Sequence, residues 1–179
     1  MEILRTLFLA IIFSLSALTS PQIKHEPERI PDEIMNAEFQ SVDGSASINL
    51  RSHRDEVIVL AVWASWCEPC RMVISGLNDF NRDFSSRGVA VIGLNTETTA
   101  QERTDVRLFL ENNKIHFKLG WLDEEKRKIL LAERDVVPQF LIVRSDGVLV
   151  KRLVGWNQEH TFPMLREAIE EELIKPTSK

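Results

Sequence analysis

The sequence predicts an α/β domain with a mixed central sheet covered by helices on both faces. Three observations lead to this prediction. The continuous apolar runs Val57–Trp63 and Val89–Leu94 are typical of strands with both faces covered. Apolar residues at helical spacing lie between them, so the three elements form a right-handed parallel crossover. Near the carboxyl end, residues 145–147 read as the turn of a β-hairpin, which adds antiparallel strands.

The composition indicates one folded domain of ordinary size. With 179 residues, 44% of them hydrophobic, the chain can bury a core without disulfide staples. The formal charge of -5 argues against a phosphate-binding surface, so we expect no nucleic-acid partner. The only two cysteines, Cys67 and Cys70, are three positions apart, which excludes a long-range disulfide framework.

The first twenty residues differ from the rest of the chain. Leu7–Leu18 carry no charge and follow Arg5, a pattern typical of an export signal. The run is short for a membrane span of about 20 residues, but it would serve as a marginal tether. The alternative is a buried N-terminal helix of the domain. We predict a signal peptide or membrane anchor over 1–20, a linker with three prolines over 21–31 and the domain over 32–179.

The first half of the domain begins with a hairpin. Its strands are predicted over Phe39–Val42 and Ser45–Leu50, around the turn Asp43-Gly44. The central strand then leads into a helix that ends near Gly88. The apolar face of this helix is predicted to comprise Met72, Val73, Leu77, Phe80 and Phe84.

The second half contains three more predicted helices and two strands. Thr99 and Glu102 form a predicted capping box for the first of these helices, which Asn112-Asn113 closes. The other predicted elements are a helix over Asp123–Glu133, strands over Gln139–Arg144 and Val148–Val154, and a helix from Pro163 with Leu165, Ile169 and Leu173 on one side.

The run Trp66-Cys67-Glu68-Pro69-Cys70 lies where the central strand meets its helix. Free N–H groups and the macrodipole at a helix N-terminus favour a thiolate, so Cys67 is the predicted nucleophile. Pro69 suits the first helical turn because its missing N–H costs nothing there. Cys70 lies about one turn further on, where it can attack a mixed disulfide on Cys67. We therefore predict a redox-active disulfide between the two cysteines.

Three other interpretations of the cysteines are a structural disulfide, half of a zinc site and two unreactive buried thiols. A zinc site needs two more ligands. The histidines are scattered without ligand spacing, and each is better interpreted as a surface residue: His25, His53, His116 and His160. We expect no bound metal and no cofactor.

The segment Val62–Cys70 resembles the active site of thioredoxins, and more closely that of the membrane-tethered TlpA/ResA-like reductases of bacterial envelopes. The similarity extends from about Asp32 to Ile174. It includes an insertion, predicted to contain a helix, between Asn95 and Leu119, and the segment Val137-Pro138. This resemblance implies a thioredoxin-like fold, a redox-active pair of cysteines, and a cis peptide bond at Val137-Pro138 that faces them.

Pro138 directly precedes a predicted core strand, where it removes a hydrogen-bond donor from the sheet. A cis bond in a tight turn would explain it; the alternative is a trans proline that ends the helix before it. In the family that the chain resembles, the backbone before this proline pairs with an extended substrate segment. The resemblance therefore implies that Val137 binds substrate, and Trp66 beside the nucleophile is predicted to contact partners.

The chain departs from the thioredoxin pattern at two positions. Thioredoxins have a buried acid six residues before the first cysteine, where this chain has Ala61. Glu68 is the nearest substitute for proton transfer and Glu97 a second, although an exposed Glu68 would be only a solvated charge. Gln139 stands where relatives tend to have threonine, so the resemblance does not identify the partner.

The resulting hypothesis is a monomeric protein-disulfide reductase of the bacterial cell envelope, in the periplasm or on the extracytoplasmic face of the membrane. Its substrates would be exported proteins, with cytochrome c maturation as one candidate role, and a membrane or soluble thiol would supply the electrons. The alternatives are a disulfide oxidant or isomerase, and a non-enzymatic metal chaperone or adaptor. The sequence has no methionine or histidine cluster to complete a soft metal site, which argues against the chaperone.

Overall fold

Seven strands and five α-helices make up the part of the chain that the structure describes. This computed structural model describes residues 27–132 and 134–175. In chain order the elements are α1 (Asp32–Met35), β1 (Glu38–Gln40), β2 (Ser47–Asn49), β3 (Val57–Trp63), α2 (Glu68–Phe84), β4 (Val89–Asn95), α3 (Ala100–Asn112), β5 (Lys118–Trp121), α4 (Glu124–Leu131), β6 (Gln139–Val143), β7 (Leu149–Val154) and α5 (Thr161–Leu173).

The central sheet has the strand order β5-β4-β3-β6-β7, with β1 and β2 paired separately. β3 runs parallel to β4 and antiparallel to β6, and the predicted crossover through α2 joins β3 to β4. Trp63, the last residue of β3, lies opposite Asn95, the last residue of β4. The carboxyl ends of these two central strands therefore open at the same edge, where the cysteine motif begins.

The alternation of side chains along β3 explains its continuous apolar sequence. Val59, Ala61 and Trp63 pack into a core with residues of α2, α3 and α5, whereas Ile58, Leu60 and Val62 pack into a second core with residues of α1 and α4. A strand between two layers of helices has no face left for polar residues. The predicted mixed sheet with helices on both faces is confirmed.

Some predicted elements differ from those observed. The capping box of Thr99 and Glu102 is present at the start of α3. The short helix α1 and strand β5 were not predicted, and α5 begins at Thr161, two residues before Pro163. Met72, predicted on the buried face of α2, is 56% exposed, because the buried residues follow a stripe through Cys70, Val73, Ile74, Leu77, Phe80 and Phe84.

The segment just before α1 lies against β7. The Leu149 N–H donates to the Glu28 carbonyl at 2.8 Å, and the Ile30 N–H donates to the Gly147 carbonyl at 2.9 Å. Ile30 is buried. The last residues of the predicted linker 21–31 are therefore in contact with the sheet. The predicted signal or anchor lies outside the described residues, and none of the helices within them has the length and apolarity that crossing a membrane requires.

Candidate active site

The two cysteines lie at the start of α2, directly after β3 and its connecting turn. Cys67 is the N-cap residue of α2, and its Sγ accepts a hydrogen bond from the Cys70 N–H at 3.3 Å. The two sulfurs are joined in a disulfide, with a Cα–Cα distance of 5.2 Å. Cys67 is 6% exposed and Cys70 is 0% exposed. An attacking group from outside therefore meets Cys67 first.

The helix terminus favours negative charge on Cys67. A sulfur in the N-cap position faces N–H groups that no residue of the preceding turn can bond. The same geometry stabilises a thiolate once the disulfide is reduced, because a hydrogen bond to an ionised acceptor is stronger than one to a neutral acceptor. Pro69 occupies the first turn of the helix, as predicted from its missing N–H.

The segment 64–67, here called the cysteine loop, is held from behind by Glu97. The Glu97 carboxylate accepts hydrogen bonds from the Ser65 N–H at 2.8 Å, the Ser65 hydroxyl at 2.5 Å and the Asn95 side-chain amide at 2.7 Å. Asn95 in return accepts from the Glu97 N–H at 2.9 Å. Glu97 is 3% exposed and Asn95 is fully buried. A buried carboxylate with three donors thus sits behind the turn that leads to Cys67.

Glu97 and Glu68 differ in their surroundings. Glu68 is exposed in the first turn of α2, where its carboxylate reaches solvent. Glu97, the second candidate from the sequence, is the acid enclosed by the protein. Ala61, at the position of the thioredoxin acid, lies inside the apolar core below the motif.

The segment 134–138, here called the proline loop, lies on the other side of the disulfide. The Val137 carbonyl oxygen is 3.6 Å from the Cys67 Sγ, so a reduced Cys67 thiol can donate to it. The Val137-Pro138 peptide bond is cis. Pro138 is buried, and its carbonyl accepts from the Gly155 N–H at 2.8 Å. Val136, in the same loop, is 50% exposed.

Trp66 and Trp63 have opposite environments although they are three residues apart. Trp66 is 69% exposed, so its indole is accessible to a partner at the rim of the disulfide. Trp63 is buried, with its ring centroid 5.7 Å from that of Phe109. The structure thus brings together Trp66, the cysteines, Pro69, Val137 and Pro138, and leaves Glu68 at the solvent-facing side.

Sequence reasoning missed Ser65 and Asn95. The available signal was positional: Asn95 ends a buried strand at the level of Trp63, so a polar side chain there faces the start of the cysteine loop. In the described residues, 27–132 and 134–175, no three histidine, cysteine, aspartate or glutamate side chains cluster as metal ligands.

Comparison with known proteins identifies the family. The model of the AhpC/TSA family matches residues 30–152, which is more than half of the chain. The chain belongs to the AhpC/TSA family. A relative from Bacillus cereus strain ZK / E33L, named thiol-disulfide oxidoreductase ResA, is 22% identical over 130 residues, covering 73% of this chain and 72% of its own. The thiol:disulfide interchange protein DsbE of Allochromatium vinosum is 27% identical over 154 residues, covering 82% and 81%.

Solved structures show the same fold as this AhpC/TSA family member. A thiol:disulfide interchange protein of the thioredoxin family from Chlorobium tepidum TLS superposes with a TM-score of 0.67 at 18% identity, over 83% of this chain and 97% of that one. A secreted Mycobacterium tuberculosis disulfide oxidoreductase gives 0.60 at 17% identity, over 79% and 99%. The predicted resemblance and thioredoxin-like fold are confirmed, and the chain is a thiol–disulfide oxidoreductase.

Proposed function

We propose that this protein reduces disulfides of exported proteins through a dithiol–disulfide cycle of Cys67 and Cys70. The observation that carries the proposal is the position of Cys67 at the N-cap of α2, where its Sγ accepts from the Cys70 N–H at 3.3 Å. Cys67 retains 6% exposure whereas Cys70 is 0% exposed. Only Cys67 can meet a substrate disulfide first, and the helix terminus favours its thiolate.

The cycle begins from the reduced pair. The Cys67 thiolate attacks one sulfur of a substrate disulfide, forming a mixed disulfide and releasing the first substrate thiolate, which takes up a proton. Cys70, deprotonated, then attacks the Cys67 Sγ, forms the intramolecular disulfide and releases the second substrate thiolate. The substrate gains two electrons and two protons, and a membrane-bound or soluble dithiol donor restores the reduced pair by the reverse exchange.

The substrate would lie between Trp66 and the proline loop. The Val137 carbonyl oxygen is 3.6 Å from the Cys67 Sγ, and this proximity supports pairing of the Val137 backbone with an extended segment that carries a disulfide. Trp66, 69% exposed, offers an apolar surface to the same segment. This arrangement supports a polypeptide substrate, because main-chain pairing recognises a peptide backbone.

One enclosed carboxylate supports the reducing direction. Glu97 is bonded to Ser65, two residues before Cys67, whereas Glu68 is exposed and its charge is screened by solvent. Negative charge near a thiol opposes its ionisation. Strongly oxidising proteins of this chemistry, with potentials near about -120 mV, depend on a stabilised reduced form, whereas thioredoxin lies near about -270 mV. The enclosed Glu97 carboxylate therefore favours the reductant over the oxidant.

We place the reaction in the bacterial cell envelope. The charge-free run Leu7–Leu18 predicts export, and relatives named ResA and DsbE together with a structural neighbour described as secreted support that location. Substrates awaiting haem attachment in cytochrome c maturation are one candidate group. The N-terminal segment would tether the domain to the membrane or be removed after export, and the domain would act as a monomer.

The substitution Cys70→Ser tests the division of roles. We expect it to accumulate mixed disulfides with partner proteins, because the resolving thiol is missing, whereas Cys67→Ser should trap none and have no measurable turnover. Non-reducing gels of cells that express each variant measure the adducts. Trapping by Cys67→Ser instead would reverse the two roles.

Equilibrium titration of the Cys67/Cys70 pair against a thiol–disulfide buffer tests the direction. We expect a potential closer to about -270 mV than to about -120 mV. A potential near about -120 mV would favour the oxidant.

A reporter fusion tests the location. A reporter that is active only outside the cytoplasm, fused after Pro31, should be active, and its retention in the cytoplasm would exclude export.

A further inference from the structure

Gln139, the first residue of β6, is a buried amide directly after the proline loop. It is 0% exposed. Its side-chain nitrogen donates to the Arg134 carbonyl at 2.5 Å and to the Val136 carbonyl at 3.0 Å. One amide group therefore ties together the beginning and the middle of the loop that carries Val137.

Arg152 of β7 holds Gln139 from the opposite side. Its Nη1 donates to the Gln139 side-chain oxygen at 3.0 Å and to the Leu130 carbonyl at the end of α4 at 3.0 Å. A guanidinium has donors only, so the amide oxygen of Gln139 must face Arg152 and the amide nitrogen must face the loop carbonyls. Arg152 thus determines the orientation of Gln139.

The hydrogen bonds to Leu130 and Gln139, more than an ion pair, account for the placement of Arg152. The Arg152 side chain is only 8% exposed, and its Nη2 lies 3.3 Å from the Glu28 carboxylate. The Glu28 side chain is 64% exposed, and exposed ion pairs contribute little. Leu130 and Gln139 provide the enclosed acceptors.

The position of the proline loop matters for substrate because Val137 follows one of the tied carbonyls. The Val137 carbonyl oxygen lies 3.6 Å from the Cys67 Sγ. Arg134, Asp135 and Val136 are exposed, so no surrounding shell of protein encloses the loop on its outer side. The Gln139 amide is therefore the buried support that holds the backbone next to Val137 from the inside.

We propose that Gln139 and Arg152 form a clamp that positions the Val137 backbone for pairing with the substrate polypeptide. The clamp rests on the proposed function, since it assigns these two residues to substrate recognition in the same site. They are positioning residues, because they act through the proline loop and touch neither sulfur. Their loss should weaken binding of a polypeptide disulfide and leave the sulfur chemistry intact.

The substitution Gln139→Glu tests the clamp. It keeps the side-chain length and the acceptor for Arg152 but replaces the donor by an oxygen that faces two carbonyls. We expect KM for a disulfide-containing peptide to rise about tenfold, equivalent to about 1.4 kcal/mol, with kcat within about twofold of wild type. Gln139→Met removes the same donor without adding a charge, so it should raise KM in the same way while the alkylation rate of its reduced Cys67 thiol against pH matches wild type. Gln40→Glu, on an exposed edge strand, is the matched control and should keep the wild-type KM.

The second variant, Arg152→Lys, keeps the charge but cannot reach both acceptors in the geometry of a guanidinium. It should raise KM in the same way by a smaller factor, about threefold. If circular dichroism shows that Gln139→Glu is unfolded, the KM of Arg152→Lys tests the clamp in its place. Wild-type KM, or a loss carried by kcat alone, would overturn the clamp. If the wild-type protein reduces no peptide disulfide, the proposed function itself has failed, which is a different result.

Discussion

The cysteine loop and the proline loop flank the same disulfide, but the protein holds them with opposite kinds of side chain. The cysteine loop turns the Ser65 N–H inward, where Glu97 accepts it at 2.8 Å. The proline loop turns the Arg134 and Val136 carbonyls inward, where the Gln139 amide nitrogen donates to both. Each buried polar residue thus matches the backbone group that its loop presents.

The difference shows why the two residues are not interchangeable. Buried N–H and C=O groups need partners, and an unsatisfied one costs about 1–3 kcal/mol. A carboxylate offers only acceptors, so it suits the cysteine loop and would repel the carbonyls of the proline loop. The cysteine loop is therefore held by a negative charge close to the nucleophile, whereas the proline loop is held by a neutral amide that leaves the charge near the sulfurs unchanged.

The largest expected effect on stability comes from Glu97→Ala. The variant leaves the Ser65 N–H and the buried Asn95 amide without their acceptor, so we expect the free energy of unfolding to fall by about 2–4 kcal/mol. Glu97→Gln retains an acceptor and should lose only about 1 kcal/mol. Urea unfolding of the oxidised proteins measures both. The control Glu68→Ala removes an exposed carboxylate and should leave the free energy of unfolding nearly unchanged. If it lowers that free energy as much as Glu97→Ala does, the burial of Glu97 is not the cause of the loss.

The burial of Glu97 also shows where sequence reasoning reached its limit. The run Asn95-Thr96-Glu97-Thr98 is polar throughout and reads as a solvated loop. Glu97 becomes buried because the register of β3 with β4 places Asn95 opposite Trp63, which brings the two connections after these strands together. Such a contact depends on pairing between strands over thirty residues apart, and no local pattern reports it.

The fold itself was more accessible to prediction, with informative exceptions. The continuous apolar sequences of β3 and β4 predict strands, because both faces of each strand are buried. The position of the cysteine motif at the start of α2 follows from the predicted end of β3. β5 is different: Lys118-Leu119-Gly120-Trp121 is short and contains a glycine. It forms a strand because β4 pairs with it on one side, while the Val42 N–H donates to the Leu119 carbonyl on the other. The Gln139–Arg152 contact is likewise tertiary, since it joins two strands across a hairpin.

The second-largest effect on stability is expected from Gly93→Ala in β4, the strand that supports the cysteine loop. A Cβ added at Gly93 would lie 2.5 Å from Leu119 Cδ2 and 3.3 Å from Trp63 Nε1. We expect Gly93→Ala to lower the free energy of unfolding by about 1–3 kcal/mol, because the core must shift to admit the methyl group. Hydrogen exchange should accelerate at the Ser65 amide, which β4 helps to place, more than in the proline loop.

The substitution Leu119→Ala provides the control for this interpretation. It opens space at the atom that the new methyl group would strike, so Gly93→Ala should cost less in that background than in the wild type. The double-mutant cycle measures this coupling. Strictly additive losses would show that the clash with Leu119 is not the cause.

The smallest effect is expected at Asp43, whose donors resemble those of Glu97 but lie at the surface. Its carboxylate accepts from the Ser41 hydroxyl at 2.6 Å, the Ser45 hydroxyl at 2.7 Å and the Ser45 N–H at 2.9 Å. These hydrogen bonds, led by that from Ser41, lower the pKa of Asp43 from 3.8 to about 2. Both carboxylates thus accept from a serine hydroxyl and the N–H of the same serine, one enclosed by protein and the other in water.

The two carboxylates are compared most sharply by the dependence of stability on pH. Because the pKa of Asp43 is lower in the folded protein, its contribution is present above the unfolded value of 3.8 and is lost as pH falls through about 2. Asp43→Asn keeps an oxygen acceptor but has no charge to titrate. The difference in unfolding free energy between the wild type and this variant should therefore be constant from pH 7 to 5 and shrink towards pH 2, while the activity at pH 7 stays at the wild-type level. Other carboxylates cancel in this difference, since both proteins carry them. A difference in unfolding free energy that does not change with pH would mean that the turn does not stabilise the Asp43 carboxylate. A serine hydroxyl and N–H would then stabilise a carboxylate only where the protein encloses it, as around Glu97.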